Sequence, residues 1–357
     1  MDCMGRMSSE IFKLAENLLA ARRVGEALRL YEEAERLGFE PDLCAAGRWN
    51  CHMLRGDFLL AWRESEAIAR RGKPDPHRFW DGRPLDGRHV ILRCLHGLGD
   101  TIQFIRYAPW IRKRARSLTI EAQPLLKTLI AHSDLADGVM TWGEPEPFWD
   151  QQVEVVELPR IFQATLDSIP AEVPYLRAPA PASLPGRQQA RLCVGIVWAS
   201  SEYNPARSIP LGLMARLFSV PQVSFFSLQA GPRRQELEPW RERVQNLYEE
   251  DACVLATARN IQALDLVITV DTMVAHLAGA LARPVWTLLP FASDWRWMLD
   301  REDSPWYPTM RLFRQARPGD WEGVMERVAW ELRALSLRAD REHPEGVPLE
   351  PRKSSPA

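Results

Sequence analysis

"HVILRCLHGLGDTIQFIRYAPWIRKRA" (89–115) is the stretch on which the reading of this chain turns. Residues 89–94 form a short apolar run without polar alternation, as in a strand covered on both faces. Residues 101–115 carry apolar side chains at helical spacing. Gly97, Leu98, Gly99 and Asp100 join the two, so the segment predicts strand, bare turn and helix. Asp100 stands at the helix entrance. There a carboxylate either caps the helix, with Thr101 and Gln103 following, or faces a ligand from the carboxyl end of a sheet.

The same rhythm continues on both sides. "SLTIEA" (117–122) reads as a strand and "PLLKTLIAH" (124–132) as a helix opened by proline. "GVMTW" (138–142) and "VEVVEL" (153–158) are further strand candidates. The run "RAPAPASLPGRQQ" (177–189), rich in proline and small residues, predicts an interdomain linker. The pattern then restarts with strand candidates "LCVGIVWA" (192–199), "VSFFSLQ" (223–229), "LDLVITV" (264–270) and "PVWTLL" (284–289). A last helix is expected over 320–335, and the charged, proline-rich residues 336–357 read as a disordered tail. Apolar strands alternating with helices imply parallel sheets covered by helices, here in two halves, 76–180 and 190–335. Ligands of such sheets bind beyond the carboxyl ends of the strands, so the cleft between the halves is the expected site.

Residues 1–75 differ. Leu14, Leu18, Ala27, Leu28, Tyr31 and Ala34 recur at helical spacing, and "RVGEALRLYEEAERLG" is echoed by "RGDFLLAWRESEAIARRG". The segment resembles tetratricopeptide repeats, about two helix pairs, which bury too little surface to stand alone and should dock on the adjoining α/β domain. It is either a platform for a protein partner or a helical cap.

Composition bounds the remaining classes. Hydrophobic residues at 46% and charged ones at 26% are those of a globular protein. The net charge of −2 excludes a broad nucleic-acid surface, although "RYAPWIRKRAR" (106–116) leaves a local basic patch suited to an anionic membrane face. The six cysteines include no C-x-x-C pair, so neither a zinc site nor a disulfide framework is expected. No stretch is long and apolar enough to span a bilayer, and the first residues lack a signal-peptide run. These readings give a cytoplasmic protein, with peripheral contact at the inner membrane face as an option. Most of the 14 tryptophans are expected in the core.

"LDLVITVDTMVAHLAGAL" (264–281) carries the second motif. An apolar strand ends at Val270, Asp271 is placed to cap the next helix, and Thr272 falls in its first turn. Free N–H groups and the positive end of the helix dipole make such a point a phosphate site. His276, one turn on, can face the same side and donate to a phosphate oxygen. Gly279 would let the helix lie close to the sheet. An ordinary capped helix with a partly buried histidine fits the spacing equally.

"VDTMVAHLAGAL" resembles the D-T-x-x-x-H-L-x-x-A-L signature of bacterial heptosyltransferases, and "GLGD" resembles the turn that opens the same family. "FWDGRPLDGRHVIL" (79–92), "GLGDTIQFIRYAP" (97–109), "RSIPL" (207–211), "SLQ" (227–229) and "DWRWMLDREDSPWYPTMRLFRQ" (294–315) are similar to a subgroup in which tetratricopeptide repeats precede the heptosyltransferase-like body. The resemblance covers residues 78–335. It implies an α/β GT-B fold of two Rossmann-like domains, the first for acceptor and the second for nucleotide-sugar donor. It also implies a metal-independent, inverting sugar transfer with no cofactor beyond the nucleotide sugar, on a path such as lipopolysaccharide synthesis. The absence of any D-x-D agrees with the lack of a metal clamp, since helix N–H groups and side chains must then hold the leaving diphosphate.

By that resemblance Asp100 is the catalytic base that deprotonates the acceptor hydroxyl, and a sugar can approach the bare turn closely. Gly97, Gly99, Thr101, Gln103 and Arg106 fall on the acceptor side, Arg106 alternatively covering its helix. Arg207 stands where the family has a phosphate-contacting lysine, and Ser200, Ser201, Asp271, Thr272, Met273 and His276 complete the donor side. Asp294 and Arg296 read as a structural pair at the cleft mouth. Two departures stand out. His96 stands where the family turn usually has a glutamine or another residue, either as an extra acid/base group or as an idle replacement. "DACVLATARNI" (251–261) lacks the methionine that packs adenine, which leaves the donor base open. The acceptor is a glycan, a lipid-linked glycan or a protein. A scaffold that holds a nucleotide or sugar without chemistry is the competing reading. A dinucleotide oxidoreductase is set aside, because "GLGD" lacks the third glycine of G-x-G-x-x-G.

Overall fold

In the computed structural model, residues 3–72, 79–187, 191–202, 204–248 and 253–342 are described. Helices α1 (Cys3–Ala20), α2 (Val24–Arg36), α3 (Pro41–Arg55) and α4 (Phe58–Gly72) come first, each packed on the next. Val24, Ala27, Tyr31 and Ala34 make the buried stripe of α2, the i, i+3, i+7 spacing of a helix with one apolar face. Proline opens α3, and Gly56 closes it in the left-handed conformation at φ 79°. Arg48 of α3 pairs with Glu64 of α4 at 2.8 Å and with Glu35 of α2, tying three helices together.

The chain then builds β1 (His89–Arg93), α5 (Leu98–Phe104), α6 (Ala108–Arg112), β2 (Ser117–Ala122), α7 (Pro124–His132), β3 (Gly138–Thr141), β4 (Gln151–Glu154) and α8 (Leu158–Ile161). The four strands form a parallel sheet in the order β3-β2-β1-β4. The helix expected over 101–115 is split into α5, a 3-10 turn at Ile105–Tyr107 and α6. Pro109 cannot donate to the preceding turn, which accounts for the break. The helix begins at Leu98, so Asp100 lies inside its first turn.

After residues 172–187 come β5 (Leu192–Val197), α9 (Leu211–Met214), β6 (Val223–Ser227), β7 (Val244–Asn246), α10 (Val254–Ala263), β8 (Leu266–Val270), α11 (Met273–Ala280), β9 (Val285–Leu289), β10 (Met310–Arg314) and α12 (Trp321–Glu342). Their parallel sheet has the order β10-β9-β8-β5-β6-β7. Every residue of β5 and β8, in the middle of that sheet, is buried, which is why both read as unbroken apolar runs. The edge strands β7 and β10 are absent from the sequence reading: β7 is three residues long with two exposed, and β10 carries arginine at two of five positions. Val324, Met325, Val328 and Leu332 of α12 pack into the core around Leu192, Val194, Ile196 and Trp198.

The chain divides into two units that differ from the expected halves. The first comprises Met1–Lys127, Asp134–Ala171 and Ala292–Trp306; the second comprises Thr128–Ser133, Glu172–Phe291 and Tyr307–Ala357. The helical segment thus belongs with the first sheet, and Trp62 of α4 donates to the Ala164 carbonyl at 2.7 Å. The proline-rich stretch is pinned to the second unit: Ala182 donates to the Arg259 carbonyl, and Arg187 grips both Asp265 oxygens at 2.8 Å. The last helix runs to Glu342, past the expected end at 335. The remainder of the expected disordered tail, 343–357, lies outside the described residues.

The basic run 106–116 is partly neutralised at home. Arg112 pairs with Asp134 and Asp137 at 3.1 Å, and Arg114 lies over the Phe162 ring. Cys44, Cys51, Cys94, Cys193 and Cys253 are free thiols.

Candidate functional site

The GLGD turn is held from three directions, all within the first unit. Gly97 is the N-cap of α5, and its N–H donates to Oδ2 of Asp100 at 3.0 Å. Gln123, just past β2, donates through Nε2 to the His96 carbonyl at 2.7 Å and meets the Thr101 hydroxyl at 3.1 Å through Oε1. Arg296 then reaches Oδ1 of Asp100 at 2.6 Å. Asp100 therefore both accepts from the cap residue and faces outward: its side chain keeps 30% of its surface exposed. Gly97 has φ −68°, so the turn needs no left-handed residue. What it needs is room, since a Cβ at Gly97 would sit 3.1 Å from the Asp100 carboxylate.

Arg296 is the hub of this cluster. Besides Asp100 it donates to Oε1 of Gln103 at 2.7 Å and to Oδ1 of Asp294 at 2.9 Å. Its guanidinium lies 4.5 Å from the Trp295 ring centre and 5.5 Å from that of Phe104. The pairing of Asp294 with Arg296 was legible in the sequence; the pairing with Asp100 was not, because 196 residues separate the two. Gln123 carried no sequence signal at all.

The other residues expected on the acceptor side are mostly inward. Thr101 and Gln103 are fully buried. Arg106, also buried, donates to the carbonyls of Gln103, Pro170 and Trp306, so its guanidinium serves the backbone and not the helix surface. Gly99 is a half-buried first-turn residue of α5. His96 is half exposed and lies 3.0 Å from the Glu154 carboxylate at the end of β4. Burial raises the Glu154 carboxyl above the ordinary range, while His96 pulls it the other way.

In the second unit β8 delivers the chain to α11. Thr272, not Asp271, is the N-cap: its Oγ1 accepts from the Val274 N–H at 3.3 Å and lies 3.1 Å from the Thr269 hydroxyl. Threonine wins because Asp271 is buried one residue earlier, with its carboxylate 3.5 Å from Arg207. The Nε of Arg207 is buried without an acceptor among the described residues. Met273 begins α11 half-buried. His276 is buried, with Nδ1 3.0 Å from the Tyr307 hydroxyl. Gly279 makes room for Tyr307 and not for the sheet, because a Cβ there would overlap the tyrosine ring.

The loop after β5 is fixed by Gln229, the last residue of "SLQ". Its Oε1 accepts from the Trp198 and Ala199 N–H groups at 3.1 and 2.9 Å. Ser200 turns its hydroxyl onto the Asn204 carbonyl at 3.1 Å, and Ser201 is exposed. Trp198 is fully buried.

Comparison with known proteins bears on the fold. The structure of a glycosyl transferase family 9 protein from Veillonella parvula superposes with a TM-score of 0.50 at 13% identity, covering 72% of this chain and 99% of that one. E. coli ADP-heptose LPS heptosyltransferase II gives 0.51 at 14% identity, covering 71% and 99%. The chain therefore has a GT-B-like α/β fold, with two parallel sheets and an N-terminal segment of four helices. No family model matches the chain. Protein FlbA of Caulobacter vibrioides is 28% identical over 359 residues, covering 90% of this chain. The chain spans about half, 54%, of that relative's length. No helix among the described residues is long and apolar enough to cross a membrane.

Proposed function

We propose that the protein is a glycosyltransferase that moves a sugar from a nucleotide-diphosphate donor to a hydroxyl of a glycan, lipid-linked glycan or protein, inverting the anomeric centre without a metal. One observation carries this reading: in a GT-B-like chain, a partly exposed carboxylate stands at the carboxyl end of β1 with both oxygens held, by the Gly97 N–H and by Arg296. A fixed carboxylate at that end of a parallel sheet is suited to general-base work. Asp100 takes the proton of the acceptor hydroxyl as its oxygen bonds to the anomeric carbon. The bond from that carbon to the diphosphate oxygen breaks, and the nucleotide diphosphate leaves with the electron pair.

The leaving group falls to the second unit. The first N–H groups of α11, Thr272, Met273 and Arg207 form the diphosphate site, with Ser200 and Ser201 on the loop after β5. The Nε of Arg207, without an acceptor among the described residues, is a donor that suits a phosphate oxygen. Asp271 anchors Arg207, and His276 supports the helix through Tyr307. The sequence resemblance at 271–281 favours a heptosyltransferase-like chemistry in lipopolysaccharide synthesis, with the first four helices as tetratricopeptide-like repeats at the cytoplasmic face of the membrane.

Turnover of nucleotide sugars by wild type and by Asp100→Asn tests the reading. We expect the variant to keep its fold and lose at least about 100-fold in kcat. Full turnover in the variant removes Asp100 from the mechanism. The competing scaffold reading draws on Arg296 already occupying Oδ1 of Asp100; it requires tight nucleotide binding and no transfer from any donor.

A further inference from the structure

The four N-terminal helices do more than sit beside the first sheet. Residues Ala292–Trp306 return from the second half of the sequence to the first unit. There Trp295 and Leu299 pack against the core of the helical segment, formed by Ala15, Val24, Ala27, Tyr31, Cys51 and Leu54. Trp49 of α3 meets Trp295 edge to face, with ring centres 5.2 Å apart. Arg22, in the turn after α1, donates to the Leu299 carbonyl at 2.9 Å and to Asp300 at 2.6 Å. Phe58 of α4 stacks on Trp306 at 6.1 Å, and the Trp306 indole donates to the Arg296 carbonyl at 3.0 Å.

The same short arm presents Arg296 to Asp100. Trp295 therefore touches both parts: Trp49 of the helical segment, and the Arg296 guanidinium and Phe104 of α5. An arginine held by three acceptors and two rings has little freedom of its own, so its place is set by whatever sets the arm.

We infer that the N-terminal helices position the catalytic carboxylate, through Trp49, Trp295 and Arg296, and that Arg296 is a positioning residue for Asp100. This rests on the reading of Asp100 as the base. The helical segment is then part of the machinery of transfer, and a partner that binds it changes turnover and not only recruitment. Misplacing a reacting group by about 1 Å costs on the order of 100-fold in rate, so loosening the arm should lower kcat while leaving donor binding, which lies in the second unit, unchanged.

The test is a double-mutant cycle in the full chain. Trp49→Leu should lower kcat about tenfold with donor KM within about twofold of wild type. In an Arg296→Ala background the same substitution should change kcat by less than about twofold, because the path is already cut. Arg296→Lys should recover part of the loss of Arg296→Ala. Arg22→Gln, which loosens the hold on Leu299 and Asp300 and is milder in packing, should act like Trp49→Leu. Equal losses in both backgrounds, or undiminished kcat in the Trp49 and Arg22 variants while Asp100→Asn is dead, overturn the inference. Amide exchange at 97–101 decides the mechanical link even if wild type transfers no sugar. Faster exchange of the Gly97 amide in Trp49→Leu supports it, and unchanged exchange overturns it, whereas a failure of transfer alone bears only on the assignment of the base.

Discussion

Gly279 and Tyr307 are fitted to each other: the tyrosine ring occupies the space where any other residue at 279 would put its Cβ. The ring's hydroxyl lies 3.0 Å from His276 Nδ1, one turn earlier on the same helix as Gly279. Small-to-large changes in a closed site force side chains off their rotamers. Gly279→Ala should therefore destabilise the protein by about 1–3 kcal/mol, although alanine is the better helix former. Urea unfolding measures this. A variant as stable as wild type would show that Tyr307 moves aside freely.

Arg207 should dominate binding of the nucleotide diphosphate. Its Nη1 is 3.5 Å from Asp271, and its Nε has no acceptor among the described residues. Arg207→Ala should weaken the affinity for a nucleoside diphosphate by about 10–100-fold, and Arg207→Lys should restore it only in part, since lysine lacks the planar fork. Calorimetric titration with the diphosphates checks this; equal affinities in all three proteins would place the phosphates elsewhere.

Glu154 should make stability fall with rising pH over a defined window. Burial lifts its carboxyl above the ordinary glutamate range, with His96 acting against the shift and Glu157 with it. The folded chain thus holds the proton more tightly than the unfolded one. Its contribution is full below the ordinary glutamate value and is lost as pH rises through the raised one. Glu154→Gln lacks this slope, so its stability relative to wild type should increase across the window. Parallel curves of unfolding free energy against pH would contradict the assignment.

The alternation of apolar runs and helical spacing made the two parallel sheets legible, because their central strands are buried along their whole length. Edge strands β7 and β10 left no such run. The turns that lead into α5 and α11 could be read because each depends on neighbours within a few residues. Arg296, Gln123, Glu154 and Tyr307 could not be paired with Asp100, Thr101, His96 and His276, because contacts between distant segments have no local signature. The cap falls on Thr272 and not on Asp271 for the same reason: the aspartate is buried and meets Arg207, 64 residues away in sequence. The tryptophans of "DWRWMLDREDSPWYP" (294–308) had a reason invisible in the sequence. Trp295 and Trp306 fill the space beside α3 and α4.

Because Ala292–Trp306 belongs to the first unit, no single cut separates this chain into two self-sufficient pieces. A fragment ending in the proline-rich stretch would bare the apolar surface of α1–α3 that Trp295 and Leu299 cover, and its companion would carry that hydrophobic arm with nothing to receive it. Swapping halves between relatives would have to carry residues 292–306 along with the amino-terminal portion.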